Sequence, residues 1–172
     1  MTLNIFVTVG TNQYNFDRLI RYTEMCLRSL EESYKLFVQY GHSTPYEISN
    51  DNQGRASQMF SRQEAEQFYA QADLVFSHCG IGSIHNSLQY TRPTVLVPRL
   101  VSNKEHSDNH QLQIAAELKQ NPLLLVVLDE ADLQKFPHFF AQNRAHSKEK
   151  VDLTNYELAE TINKILYETK SR

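Results

Sequence analysis

The stretch ADLVFSHCGIGSIHNSLQY, Ala72–Tyr90, joins a short apolar run to two glycines one residue apart and then to a helical pattern. The chain has five glycines in 172 residues and places two of them here, although each costs more backbone entropy on folding than alanine. A strand, a glycine turn and a helix start together bring main-chain N–H groups and the positive end of a helix to one place, at the carboxyl end of a parallel strand. Gly80 and Gly82 would let an anionic group approach the backbone and Ser83 would add a hydroxyl, so a diphosphate suits the turn. The plainer reading is that the glycines only let the chain turn tightly into its helix. A GxG without a third glycine does not decide between the two, and no GK[ST] follows, so the turn is not a P-loop.

Outward from this stretch the same alternation repeats in both directions, which predicts βα units and a parallel sheet. Leu3–Val9 reads as a first strand, β-branched and apolar on both faces. Phe16, Leu19, Ile20, Cys26, Leu27 and Leu30 follow at helical spacing. Lys35–Gly41 reads as a second strand and, after a polar loop, SQMF (Ser57–Phe60) as a short third. Ser61 with Glu64 forms a capping box that opens a helix striped by Ala65, Phe68, Tyr69 and Ala72. Asp73–Ser77 is the fourth strand, and Pro93 delivers the chain into the fifth, TVLVP. Asp108 and Gln111 form a cap-like pair before a helix through Leu118, and Leu123–Leu128 is the sixth strand. Short helices are expected over Asp129–Lys150. Thr154 and Glu157 cap a last helix, within 152–170, whose Leu158, Ile162, Ile165 and Leu166 pack on its own sheet or dock on a partner. The expected class is α/β, one Rossmann-like domain over 1–172 with a parallel sheet flanked by helices.

Composition narrows the function. With 17 Lys and Arg against 20 Asp and Glu, the formal net charge of −3 gives no basic field for nucleic acid. Cys26 and Cys79 lie far apart without a CxxC, as expected of a reduced cytosolic protein. No segment approaches the ~18 apolar residues of a membrane span and the N-terminus lacks a signal-peptide pattern, so contact with a membrane would be peripheral, through a partner.

A second polar constellation, EHSDNHQ (Glu105–Gln111), follows the fifth strand. Its plain reading is a capped helix start with solvated side chains. A zinc reading would use the four-residue spacing of His106 and His110 with His78, Cys79 and His85 of the other loop. No HExxH or paired CxxC supports it, and no metal is expected. Nothing in the sequence specifies Cys79 as a nucleophile.

Four segments in order, IFVTVGT (Ile5–Thr11), ADLVFSHCGIGSI (Ala72–Ile84), RPTVLVPRL (Arg92–Leu100) and EHSDNHQLQIAAEL (Glu105–Leu118), resemble the glycosyltransferase family 28 C-terminal domain. More narrowly they look like the small donor-binding subunits, PssE and Alg type, of two-part GT-B sugar transferases. The resemblance implies the half of a GT-B enzyme that holds a nucleotide sugar, usually a UDP-sugar, with no cofactor. It implies that Gly10 and Thr11 line the cleft and that the backbone near Phe60 meets the base. Ser77, His78, Gly80, Gly82 and Ser83 would cradle the diphosphate, with Asp108, His110 and Gln111 near the sugar. One departure stands out: Asn86 replaces the glutamate that binds the ribose hydroxyls in many relatives, and lacks its charge assistance.

The reaction so implied is sugar transfer to a hydroxyl, with His78 or Arg99 stabilising the leaving diphosphate and Glu105 or His106 as candidate base. The acceptor class is a lipid-diphosphate-linked sugar in capsule or exopolysaccharide assembly. The acceptor half would be a membrane-associated partner subunit, since the chain begins at its first strand and too little follows Leu128 for a second half. A homodimer of the isolated chain is also open. The competing reading is a non-catalytic subunit that only holds the nucleotide sugar or the partner. A third is a sugar-phosphate-binding α/β enzyme, since fold alone does not confer function.

Overall fold

The structure is a computed structural model that describes residues 2–49 and 53–145. The expected C-terminal helix from Thr154 lies outside them. Six strands form along the chain: β1 (Leu3–Thr8), β2 (Tyr34–Gln39), β3 (Gln53–Ser57), β4 (Leu74–His78), β5 (Thr94–Val97) and β6 (Leu124–Val126). All pair in parallel, in the order β3-β2-β1-β4-β5-β6. Strand order reverses between β1 and β4, so the loops leaving these two strands diverge and open a crevice at their carboxyl ends.

Period-two alternation decides which face each side chain covers. Ile5 and Val7 of β1, Leu74 and Phe76 of β4, and Val95 and Val97 of β5 join one cluster. There they meet Leu19, Tyr22 and Cys26 of α1 (Asp17–Leu27) and Phe136, Phe139 and Phe140 of α5 (Phe136–Asn143). The intervening Phe6 and Val75 face Tyr69 of α2 (Arg62–Gln71). Leu96 and Leu124 face Ile84 and Leu88 of α3 (Ile81–Gln89) and Ile114, Ala115 and Leu118 of α4 (His110–Leu118). The result is a helix–sheet–helix sandwich. Burial pushes the Cys26 thiol up to about 12, and Cys79 is fully buried with its thiol also pushed up by desolvation, so both cysteines pack as small apolar residues.

Most strand ends shift by one to three residues from expectation, and two differences bear on the site. The third strand is Gln53–Ser57, inside the segment read as a polar loop, and not Ser57–Phe60. It is a sheet edge whose side chains are exposed or half-buried, so it carries none of the apolar pattern that marks a strand; Met59 and Phe60 belong to the outgoing turn. The capping box of α2 forms as read, with Ser61 and Glu64 exchanging side-chain and main-chain bonds. In contrast, α4 starts one residue later than its cap pair suggested: Asn109 is the N-cap, while Asp108 Oδ1 accepts the His110 N–H at 3.0 Å.

Candidate functional site

The carboxyl ends of β1, β4 and β5 converge on the start of α3. Its N-cap is Gly80, no side chain caps it, and no acidic residue lies in its first turn. The first main-chain N–H groups of that helix therefore have no intrahelical partner, and with the helix dipole they favour an anion. A Cβ added at Gly82 meets nothing within 4 Å, so this residue borders open space. Gly82, Ser83 and Asn86 fall on one side of α3; Gly82 is exposed and the other two are half-buried. The Ser83 hydroxyl is also linked to the Tyr69 hydroxyl beneath it.

Gly10 and Gly80 have an occupant that the sequence did not suggest. The His78 imidazole lies between them: a Cβ on Gly10 would stand 2.5 Å from His78 Cε1, and one on Gly80 would overlap Nε2. Gly10 also has φ +81, a conformation costly for any residue with a side chain. The absence of side chains on these two glycines makes room for a ring of the protein itself. Desolvation, with the nearby Arg99 charge, pushes the His78 pKa down to about 4, and its Nδ1 is buried without a hydrogen-bond partner. The expectation that His78 supplies positive charge to a leaving diphosphate is corrected accordingly, since in this position the ring is neutral at pH 7. Ser77 is corrected as well. It is fully buried, and its hydroxyl is bonded to the His78 carbonyl at 3.0 Å and linked to the Tyr69 hydroxyl.

The two candidates after β5 are committed to holding loops. Glu105 is 5% exposed. Its Oε1 accepts from Arg18 Nε at 2.9 Å, and its Oε2 from Arg18 Nη2 at 2.8 Å and the Leu100 N–H at 3.0 Å. Arg18 Nη2 reaches the Pro98 carbonyl at 2.6 Å as well. A carboxylate whose oxygens are filled in this way is not poised to take a proton from an acceptor, which corrects the Glu105 assignment. Glu105→Gln should cost about 2 kcal/mol of stability by stranding the Arg18 charge, measured by urea unfolding. Unchanged stability with loss of turnover would return Glu105 to catalysis.

Arg99 is fully buried. It donates to the carbonyls of Val9 (2.7 Å), Glu105 (2.9 Å) and Tyr14 (3.1 Å), with its guanidinium 4.4 Å from the Phe16 ring centroid. Burial lowers its pKa only to about 10, so it stays charged, but Nη1 and Nη2 are taken up by main-chain carbonyls of the loops after β1 and β5, and Nε is buried without a partner. The assignment of Arg99 to the diphosphate is thereby corrected. Gln111 sits beside it, its Oε1 accepting both the Cys79 and the Arg99 N–H at 3.1 Å. One side chain thus clasps the glycine turn to the loop after β5.

Thr11, Asp108 and His110 are exposed at the rim, and the His106 ring lies 6.2 Å from that of Tyr14. Phe60 is packed, with the Arg55 guanidinium 4.9 Å from its ring centroid, and its main-chain N–H donates to Gln39 Oε1 at 3.1 Å. The sequence reading passed over Gln39 and Arg18. The available signal was a polar residue ending the apolar strand LFVQ and a charge inside the apolar stripe of α1.

The site thus combines a crevice at the strand-order reversal, an uncapped helix start and loops tied together by buried side chains. The sequence profile of the glycosyltransferase family 28 C-terminal domain matches residues 4–162. The chain belongs to this family. A curated relative, the UDP-N-acetylglucosamine transferase subunit ALG13 of Mus musculus, is 32% identical over 118 residues, covering 66% of this chain and 10% of its own length. The family 28 chain thus spans about a tenth of that relative. Among solved structures, MurG of Acinetobacter baumannii matches 86% of this chain and 48% of its own, with TM-score 0.56 and 16% identity. The calicheamicin glycosyltransferase CalG4 matches 99% of this chain and 38% of its own, with TM-score 0.56 and 14% identity. The fold is that of the C-terminal half of GT-B glycosyltransferases.

Proposed function

We propose that this family 28 chain is the donor-binding subunit of a two-part glycosyltransferase that takes a sugar from a UDP-sugar. The observation that carries the reading is the uncapped start of α3, with Gly82 bordering open space beside the β1 and β4 loops. Family membership supports the transferase class, and the ALG13 relative, a UDP-N-acetylglucosamine transferase subunit, supports UDP-N-acetylglucosamine as the first donor to try. The base lies at Phe60, the ribose at Asn86, and the diphosphate over Gly82 and Ser83. In the reaction an acceptor hydroxyl oxygen bonds to the anomeric carbon, the bond from that carbon to the diphosphate breaks, and UDP leaves with its charge held by the α3 N–H groups. The hydroxyl proton passes to a base on the acceptor side, because Glu105 is bound to Arg18. The partner is a membrane-associated subunit that presents a lipid-diphosphate-linked sugar for polysaccharide or glycan assembly, and this chain works at the cytoplasmic face through it. Among the described residues no helix is long and apolar enough to cross a membrane.

Gly82→Val is a clean test, since the free protein has room for the side chain. UDP affinity should fall about tenfold or more in calorimetry, with thermal stability little changed, because the branched side chain fills the space the phosphate needs. Equal UDP affinity in a folded Gly82→Val protein would remove the diphosphate assignment. The competing reading, a non-catalytic nucleotide-sugar-holding subunit, predicts the same binding result. It separates from the first in a transfer assay with the partner, where Gly82→Val would leave turnover unchanged.

A further inference from the structure

Gln39 ends β2, the strand flanked by β1 and β3, in register with Thr8 on one side and Ser57 on the other. From there one side chain can reach the outgoing loops of both neighbours. It is 5% exposed. Its Oε1 accepts the Phe60 N–H at 3.1 Å, and its Nε2 donates to the Gly10 carbonyl at 3.2 Å and approaches Thr8 Oγ1 at 3.4 Å. The amide orientation is fixed by its partners, because a main-chain N–H can only donate and a carbonyl can only accept. Both contacts fall on backbone at the crevice, one on the turn before α2 and one on the turn after β1. Phe60 N–H comes just after β3, where no strand ladder holds it, so a side chain takes the place of a ladder partner.

We infer that Gln39 is a specificity-determining positioning residue: by fixing the Phe60 main chain against Gly10 it sets how the crevice reads the base of the nucleotide. This rests on the nucleotide-sugar reading above and deepens it. A base is distinguished by the direction of hydrogen-bonding groups along its edge, and main-chain groups can read that edge only if their orientation is locked. Gln39 supplies the lock for Phe60. Its amide is bonded to the Phe60 and Gly10 main chain and is not among the residues assigned to phosphate or sugar, so its removal should change base preference more than phosphate affinity.

The experiment is calorimetric titration of the full chain, unaltered and as Gln39→Met and Gln39→Glu, with UDP, CDP and inorganic pyrophosphate. Gln39→Met has similar volume and neither hydrogen bond. It should lower UDP affinity about tenfold and bring the UDP-to-CDP preference towards one, with pyrophosphate affinity changed by less than about twofold. Gln39→Glu keeps an acceptor for the Phe60 N–H and should keep the preference, while its carboxylate against the Gly10 carbonyl weakens all three ligands. A proportional loss for all ligands in Gln39→Met, or an unchanged UDP-to-CDP ratio, overturns the inference. Should Gln39→Met not fold, amide hydrogen exchange in the unaltered protein decides: a protected Phe60 amide supports the lock and an unprotected one overturns it. If the unaltered protein binds no UDP, the nucleotide-sugar reading itself falls and takes this inference with it, an outcome distinct from those of the variants.

Discussion

Arg99→Met is expected to lower the unfolding free energy by about 2–3 kcal/mol, the summed cost of leaving two buried carbonyls and one part-buried carbonyl unpaired at up to about 1 kcal/mol each. Those carbonyls belong to Val9, Tyr14 and Glu105, and they join the loops after β1 and β5. Methionine keeps the apolar stem against Phe16 and removes only the donors. Arg99→Lys retains the charge on a point donor that cannot fork to three acceptors, and should lose about half as much. Urea unfolding reads both. The alternative, in which Arg99 serves a bound diphosphate, predicts that Arg99→Met loses UDP binding while stability stays within about 0.5 kcal/mol of the original. That pattern would reverse the structural assignment of this residue.

Arg99 also shows where the sequence stops being informative. Its position, after a buried strand and before a polar loop, was legible, and so was the order of strands and helices among the described residues. Apolar runs bounded by capping residues mark elements whose burial is local in cause: Ile5, Val7, Leu74 and Phe76 alternate because their own strand does. β3 was misplaced because an edge strand with Gly54 and Arg55 has no apolar requirement to meet. The loops that form the site were found, but the tasks of individual side chains within them were not. Glu105 looks like a base in EHSDNHQ because its partner Arg18 is 87 residues away in sequence. Gly80 looks like part of a phosphate cradle, and Gly10 like a wall of the cleft, because nothing in a one-dimensional pattern says that the His78 ring takes the space between them. Gln39 and Gln111 were either missed or given to the sugar for the same reason, since a clasp between two loops is visible only when both are in place. The polar residues at this rim divide into those that hold the walls, Arg18, Gln39, Arg99, Glu105 and Gln111, and those left facing solvent, Thr11, Asp108 and His110.

His78 carries the second large effect, and it appears as a pH dependence. In the folded protein its pKa lies near 4, against 6.5 for the free side chain, so the unfolded chain takes up a proton first as pH falls. The contribution of the neutral ring to stability is complete above about pH 6.5, declines between there and about pH 4, and does not change further once both states are protonated. A difference of this size corresponds to about 3 kcal/mol. The carboxylates held low by their hydrogen bonds, Asp17, Asp132 and Glu64, lose their contributions only below about pH 4.5, so among the groups shifted in the described residues the window above belongs to His78. His78→Phe keeps a flat ring between Gly10 and Gly80; Nδ1 has no partner to lose, so the ring's hydrogen bond to the Thr8 main chain is the polar contact the substitution removes. The variant should match the original near pH 7.5 within about 1 kcal/mol, and the stability gap between pH 7 and pH 4.5 should shrink by most of the 3 kcal/mol. Urea unfolding at the two pH values measures it. An identical pH dependence in the two proteins would mean that the imidazole is not held neutral between the glycines. A Gly80→Ala variant adds a second reading of the same contact, since its methyl displaces the ring: destabilisation in the original background that disappears in His78→Ala would locate the clash at His78.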